Sequence, residues 1–226
     1  VGQLFGYVHE RLFTEDDFIT NAAGEQELRE GIPRQTFTAK VRPGDIKYVD
    51  LDQNGVIDTY DQMAIGGTEN PEIVYGFGVN LRWKDLDFGA MFQGIGRTWR
   101  ILSSNIMPAS NKGSLYNIFD NYQDRWTVDN QSQDVFYPRA DYGPNANNSQ
   151  NSTWWLRNMS FLRLKNVELG YSCPKKWLQG FVISNARVFV RGTNLLTFSK
   201  FDLWDPELAT GDGAKSVSYT HLRAHE

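Results

Sequence analysis

Apolar and polar residues alternate almost without interruption over residues 73–84. The odd positions are apolar and the even positions are mostly small or polar, with Val74 as the one exception. A period of two is typical of a β-strand that has one apolar face. A second alternating run, residues 86–93, follows a tight turn at Lys84 and Asp85. The two runs together predict a β-hairpin.

Three further segments carry weaker strand patterns. Residues 2–13 are rich in aromatic side chains but alternate only in part, and residues 186–198 are rich in Val, Phe and Thr. Residues 161–171 alternate in two runs of opposite phase, and the phase changes near Lys165 and Asn166. A change of phase by one residue is typical of a β-bulge. We therefore predict three more strands, with a bulge in the middle one.

The connections between these strands alternate between long and short. Residues 14–72 and 94–160 are long and polar, whereas the turn near residue 85 and the link across residues 172–185 are brief. Outer-membrane barrels have this asymmetry, with short periplasmic turns, long outer loops and strands of roughly 9–11 residues. Loops of such length are unusual in compact domains. The pattern predicts an all-β fold, an antiparallel transmembrane β-barrel with long extracellular loops.

Composition limits the possible partners. The 226 residues carry a net charge of -4, and the 23 Lys and Arg residues form no basic run, so nucleic acid is not an expected partner. Cys173 is the one cysteine, which excludes an internal disulfide and a cysteine-based metal site. The chain starts at Val1 in a strand-like pattern, so we expect it to begin inside a larger protein.

The stretch DLDQNGVIDTYD, residues 50–61, has the spacing of a calcium-binding loop. Gly55 stands where such a loop turns sharply, and Val56 would offer its backbone carbonyl. The candidate ligands are Asp50, Asp52, Asn54, Val56, Asp58 and Asp61. We therefore expect one calcium ion here, in an extracellular loop, and no other cofactor.

Other interpretations of this loop stay open at the level of sequence. Asp61 is shorter than the bidentate Glu of an EF-hand, and no helical pattern flanks the loop. A solvated turn without an ion is the plain alternative. A catalytic role is disfavoured, because acid–base chemistry needs two opposed groups with separated pKa values and contiguous carboxylates do not supply them. We expect the protein not to be an enzyme.

Five stretches of the chain, taken in order, carry a family resemblance. They are residues 43–94, DRWT at 124–127, residues 156–174, residues 186–201, and DPE at 205–207. Together they resemble the C-terminal part of SusC/RagA-type TonB-dependent outer-membrane transporters. Each stretch is modest alone, but the ordered set is specific.

This resemblance implies a large barrel with an N-terminal plug, covered by a SusD-like surface lipoprotein and energised by TonB. It implies import of oligosaccharide or peptide cargo across the bacterial outer membrane, with lipid against the barrel wall. Residues 1–215 would be a piece of that barrel without the plug or the segment that contacts TonB, and would not transport alone.

The end of the chain has a different character. Residues 216–226, SVSYTHLRAHE, look like a translated sequencing adapter, where the family would continue into its final strand. We predict that they are a non-native tail, so a site built on His221 or His225 would be an artefact. His9 has no companion ligand in the sequence, which favours a simple surface or barrel-wall position.

Four tryptophans lie in or beside the second long loop: Trp99, Trp126, Trp154 and Trp155. Exposed rings could stack on the sugars of a glycan cargo. Packing within the loops, or an aromatic girdle at the membrane surface, is the favoured interpretation.

Two other classes of protein fit part of the pattern. A secreted calcium-dependent carbohydrate-binding β-sandwich explains the alternation and the calcium spacing, but not the order of long and short loops. A dockerin-like module needs two calcium loops with helices, and one loop is visible. The barrel requires that Tyr75, Phe77, Val79 and Leu86 face lipid, whereas a sandwich would cover them with a second layer of protein.

Overall fold

The structure is a computed structural model, and it describes residues 2–102, 120–141, 145–179 and 185–208. Its strands are β1 (Gln3–Tyr7), β2 (His9–Leu12), β3 (Phe18–Thr20), β4 (Gln26–Leu28), β5 (Arg34–Gln35), β6 (Ile46–Tyr48), β7 (Val56–Ile57), β8 (Gln62–Thr68), β9 (Ile73–Trp83), β10 (Leu86–Gly96), β11 (Trp99–Ile101), β12 (Leu156–Asn158), β13 (Phe161–Ser172) and β14 (Arg187–Ser199). The described chain forms two compact units. The loop unit contains residues 2–67 and 100–157, and the sheet unit contains residues 68–99 and 158–208.

Four long antiparallel strands form the sheet unit, in the order β14, β13, β10, β9. Trp83 pairs with Leu86, so the hairpin turn between β9 and β10 consists of Lys84 and Asp85 alone. Lys84 has a φ of 53°, a left-handed conformation that two-residue hairpin turns commonly use. The predicted hairpin is confirmed. No helix within the described ranges is long and apolar enough to cross a membrane.

One face of this sheet is apolar, because the register aligns the apolar positions of neighbouring strands. Phe77 pairs with Phe92, and their rings stack with centroids 5.0 Å apart. Much of this face is open to the surroundings, with 55% of Phe77 and 43% of Val79 exposed. The apolar face is formed by Ile73, Tyr75, Phe77, Val79, Leu81, Trp83, Leu86, Phe88, Phe92, Leu162, Leu164, Val167, Leu169, Tyr171, Val188, Val190, Leu196 and Phe198.

The predicted bulge lies in β13 at Lys165. Leu164 pairs with Phe92 and Asn166 pairs with Met91, so Lys165 has no partner in the register with β10. The extra residue shifts the phase of alternation, and both apolar runs of β13 consequently point to the same face of the sheet.

Short strand pairs build the loop unit. β1 pairs with β8, β2 with β6, and β3 with β4, while β5 and β7 form a parallel pair. The prediction of a barrel strand at residues 2–13 is therefore wrong. That segment alternates only in part because its apolar side chains pack into the interior of the loop unit, and Tyr7, Leu12 and Phe13 are buried there.

The described parts of the two long connections are folded rather than open. Among the described residues, the core of the loop unit contains Tyr7, Leu12, Phe13, Phe18, Ile46, Tyr48, Ile57, Ile65, Leu102, Trp126, Tyr137, Trp154 and Trp155. Gly44 shows how closely this core is packed: its φ is 86°, and a Cβ at this position would overlap the Trp126 ring. The predicted tail, residues 216–226, lies outside the described part of the chain, so its boundary stays a prediction.

Candidate functional site

The calcium-type loop brings three of its candidate ligands together. Carboxylate oxygens of Asp50, Asp52 and Asp61 all lie within 4.8 Å of one another, with Asp61 buried and Asp52 exposed. Oδ1 of Asp50 is buried and has no hydrogen-bond partner. Hard oxygen ligands in such a group suit a calcium ion.

Repulsion between these carboxylates is visible at Asp52. The pKa of Asp52 lies above its ordinary value, first because of desolvation and then because of the neighbouring Asp50 and Asp61 carboxylates. A bound cation would remove this repulsion by favouring the ionised forms.

The other candidate ligands contribute to the shape of the turn. Oδ1 of Asn54 accepts a hydrogen bond from the backbone N–H of Val56 at 2.7 Å, and Oδ1 of Asp58 accepts one from Tyr60 at 2.8 Å. Asp61 braces the loop, because Oδ2 accepts from the Asp58 N–H at 2.8 Å. Asp58 does not belong to the group of three carboxylates.

A buried amide links this loop to the second long connection. The pair β5–β7 places Gln35 beside Ile57, which lies within the loop. Nε2 of Gln35 donates to the Ile46 carbonyl at 2.8 Å and to Oδ1 of Asn147 at 2.6 Å, while Oε1 accepts from the Tyr48 N–H at 2.8 Å. Sequence reasoning missed Gln35, because a single polar residue in a polar segment gives no pattern.

A buried carboxylate extends the same network. Asp45 accepts hydrogen bonds from the side-chain amides of Asn145 at 3.0 Å and Asn148 at 2.9 Å, and it forms an ion pair with Arg139 at 3.2 Å. Burial raises the pKa of Asp45, and the Arg139 guanidinium opposes that rise. The one sequence signal for this cluster was the high Asn content of the second loop.

Three of the four tryptophans pack within the loop unit. Trp126, Trp154 and Trp155 are buried, and Nε1 of Trp155 donates to the Asn148 carbonyl at 2.8 Å. Packing within the loops was one of the two favoured interpretations for them. Stacking on sugar rings would need exposed faces, so it does not apply to these three residues. Trp99 lies in β11 and is half-buried.

His9 is half-buried and bound on one side. The Thr153 hydroxyl accepts from the backbone N–H of His9 at 2.9 Å and lies 2.6 Å from Nδ1 of the same residue. The hydroxyl proton is therefore free to donate to Nδ1, which favours the neutral ring. The pKa of His9 is lowered by burial and further by the Arg157 cation. Its position in the loop unit differs from a barrel wall.

The DPE stretch folds back onto the polar face of the sheet. Arg163, which is 3% exposed, donates to Oε2 of Glu207 at 2.7 Å and contacts Asp205. Nζ of Lys165, the bulge residue, donates to Oε1 of Glu207 at 2.9 Å. The bulge thereby aims a cation at the segment that follows β14.

Several known proteins resemble this chain in sequence or in structure. No family model matches it. A TonB-dependent receptor of Formosa agariphila is 34% identical over 166 residues, which cover 73% of this chain and 16% of that relative. The TonB-dependent receptor SusC of Bacteroides thetaiotaomicron is 24% identical over 183 residues, covering 79% and 17%. In a solved structure of the RagAB peptide transporter, the matching region covers 88% of this chain and 19% of that one, with a TM-score of 0.60 and 25% identity.

In sequence and in fold the chain is similar to a part of the SusC/RagA-type TonB-dependent receptors. Its location is accordingly the bacterial outer membrane, and the exposed apolar face of its sheet suits contact with lipid. The all-β barrel fold predicted from the alternation is confirmed. The chain spans only 16% and 17% of the two named receptors, so the activity of a whole receptor is a matter for proposal.

Proposed function

We propose that the receptor containing this chain imports oligosaccharides or peptides across the outer membrane, using energy from TonB and a SusD-like surface lipoprotein. The chain supplies part of the barrel wall and two folded connections, and it carries out no reaction of its own. The relatives named above are receptors and a peptide transporter, which supports transport over catalysis.

The uncovered apolar face of the four-stranded sheet is the observation that carries this proposal. Tyr75, Phe77, Val79 and Leu86 are all exposed on it. In a carbohydrate-binding sandwich these side chains would be covered by a second sheet about 10 Å away, whereas here they are exposed. Contact with lipid tails removes the cost of exposing them.

The partners follow from the family. SusC and RagAB are the named relatives, so a SusD-like lipoprotein is the proposed cover of the barrel. The start of β9, the end of β10, the start of β13 and the end of β14 lie at the same end of the sheet. The two long connections join the strands at this end. We place these connections on the outer side, where cargo and lipoprotein arrive.

Uptake by cells tests the proposal. Cells that express the whole receptor should accumulate a fluorescent peptide or oligosaccharide, and deletion of TonB should abolish this uptake. Deletion of the SusD-like lipoprotein should reduce it. Accumulation that continues unchanged without TonB would contradict the proposal.

We also propose that residues 50–61 bind one calcium ion. Support comes from the three carboxylates within 4.8 Å of one another and from the unpartnered Oδ1 of Asp50. Because Asp61 replaces a bidentate Glu, we expect weak affinity, with a Kd of about 10⁻⁴–10⁻³ M as in extracellular modules.

Calorimetric titration of the whole receptor with calcium tests this site. Asp52→Asn removes one ligand charge and should weaken binding about tenfold or more. Glu30→Gln makes the same change of charge at an exposed position of the loop unit and should leave binding unchanged. No heat of binding at millimolar calcium, or equal effects of the two substitutions, would contradict the proposal.

A further inference from the structure

Charge is distributed unequally between the two faces of the sheet. The register places the charged residues of β9, β10, β13 and β14 on the polar face, except for the bulge residue Lys165. Lys165 shares Glu207 with Arg163 and so also belongs to the polar face. These charged residues are the cations Arg82, Arg163, Lys165, Arg187 and Arg191 and the acids Asp87 and Glu168. The strands of the polar face, which we assign to the barrel lumen, therefore carry more positive than negative charge.

Both acids on these strands are already paired. Arg187 reaches from β14 across β13 to Asp87 on β10, with its Nε 3.1 Å from Oδ1 of Asp87. Gly170 permits this crossing, because a Cβ there would overlap the Arg187 guanidinium. Glu168 accepts from Nη2 of Arg187 at 2.7 Å and from Nε of Arg191 at 2.7 Å.

The remaining cations differ in their partners. Arg163 and Lys165 are held by the carboxylates of the DPE stretch, as described above. Arg82 faces Asp87 in the register and interacts with it electrostatically, yet its guanidinium lies beyond ion-pair distance of every described carboxylate. Arg191 still has N–H groups that do not point at Glu168, because a guanidinium carries five donors.

Arg82 and Arg191 line one cavity. It has a volume of about 520 Å³, and its other polar walls include the side-chain amides of Asn80 and Asn166. Met91 adds an apolar patch. A cavity of this size accommodates a group as large as a sugar ring or an amino-acid side chain. Asp87 and Glu168 also line it, and each of these carboxylates is bonded to an arginine.

We propose that this cavity binds a carboxylate of the cargo, so that the receptor selects acidic oligomers. The guanidinium of Arg82 is the unpaired charge that a carboxylate would meet, and a planar fork of donors matches the two carboxylate oxygens. The amides of Asn80 and Asn166 supply neutral hydrogen bonds, and Glu168 and Asp87 do not repel the ligand strongly because Arg187 and Arg191 neutralise them.

This inference rests on the proposed import function, because it names the class of cargo. The chemistry is shared by uronic acid oligosaccharides and by acidic peptides. Two probes separate these sources: oligogalacturonate and a glutamate-rich peptide. A neutral maltooligosaccharide serves as the uncharged comparison.

Calorimetric titration of the purified whole receptor provides the test. Arg82→Gln should weaken binding of at least one carboxylated probe about tenfold, since a charge-assisted hydrogen bond at a wet site is lost. Arg82→Lys should restore part of the affinity. Added salt should weaken the same interaction in the wild type and have less effect on Arg82→Gln.

Lys84→Gln is the matched control. Lys84 lies two residues away in the hairpin turn, outside the polar face, and its ammonium is 5.0 Å from the Trp83 ring centroid. Its loss changes the net charge equally and should leave probe affinity unchanged. Equal weakening by Lys84→Gln and Arg82→Gln, or equal loss for the neutral probe, would overturn the inference.

A further outcome also overturns it. If neither carboxylated probe binds and Arg82→Gln lowers the thermal stability of the receptor, then an acidic residue of the receptor itself fills the cavity. These results are independent of the uptake experiment. Carboxylate binding without TonB-dependent uptake would contradict the proposed function alone, and uptake without carboxylate binding would contradict this inference alone.

Discussion

Glycines at two positions share a backbone conformation but differ in their surroundings. Gly44 has a φ of 86° and Gly24 a φ of 80°, so an alanine is strained at either position. At Gly24 nothing lies within 4 Å of the missing Cβ, whereas at Gly44 the Trp126 ring occupies that space. The pair therefore separates backbone strain from packing.

We expect Gly44→Ala to destabilise the loop unit more than Gly24→Ala, by about 1–3 kcal/mol, the usual cost of overpacking a filled core. Denaturation of the whole receptor, followed by tryptophan fluorescence, measures the difference. Equal losses for the two substitutions would show that Trp126 yields to the new methyl group without cost.

His9 predicts a pH dependence of the loop unit. Because its pKa is lowered from 6.5 by burial and by Arg157, the unfolded chain binds more protons than the folded chain between the lowered value and 6.5. The stabilisation is therefore complete above about pH 6.5 and is lost as the pH falls through that window.

His9→Asn keeps an acceptor near the Thr153 hydroxyl but does not titrate. The difference in free energy of unfolding between wild type and this variant should shift against the wild type from pH 7 to pH 5, a range set by the ordinary His pKa of about 6.5. Parallel pH profiles for the two proteins would rule out His9 as the cause. Subtracting one profile from the other cancels contributions from the carboxylates.

Two residue-level patterns correspond to features of the structure, although the calcium site itself stays a prediction. The spacing of residues 50–61 located three carboxylates that do come together, and the change of phase located the bulge at Lys165. The burial of Trp155 was anticipated only as one of two favoured interpretations. Gln35 and Asp45 were missed, because a hydrogen bond between distant segments leaves no periodicity in either of them.

At the scale of elements, successive residues of β9 point alternately to the apolar and to the polar face of the sheet. Val79 points to the apolar face and Asn80 to the polar face, near the middle of the same strand. Adjacent positions therefore report on lipid and lumen with almost no change in depth.

We expect Val79→Arg to destabilise insertion by about 2–4 kcal/mol, the cost of a cation on the lipid face near the bilayer midplane. Asn80→Arg should cost far less, because its side chain enters a polar lumen. Folding of the whole receptor into lipid vesicles, titrated with denaturant, compares the two. A larger loss for Asn80→Arg would reverse our assignment of the faces.

The strands divided into those that sequence could predict and those that it could not. β9, β10, β13 and β14 were foreseen, because one face of each must be apolar along its whole length. β1 and β2 were mistaken for a barrel strand. The short pairs of the loop unit escaped prediction, since strands of two to five residues are too short to display a period.

At the scale of the whole molecule, the apolar face determines how the receptor must be handled. Membrane fractions that contain the receptor should retain it through washes with high salt or alkaline carbonate, and detergent should release it, because salt does not weaken contact with lipid tails. Immunoblotting of the fractions shows the outcome. Release by salt alone would indicate a peripheral protein and remove the lipid-facing assignment.

The folded core of the loop unit has a consequence for how new specificities arise. Segments distant in the chain share that interior, with Gln35 bonded to Asn147 and Gly44 packed on Trp126. If one connection were exchanged for that of a homologue, its packing and hydrogen-bond partners in the other connection would no longer match it. Chimeras should succeed when both connections are exchanged as a block, and gradual divergence should concentrate at outward positions such as Tyr60 and Val128, which are 80% and 72% exposed.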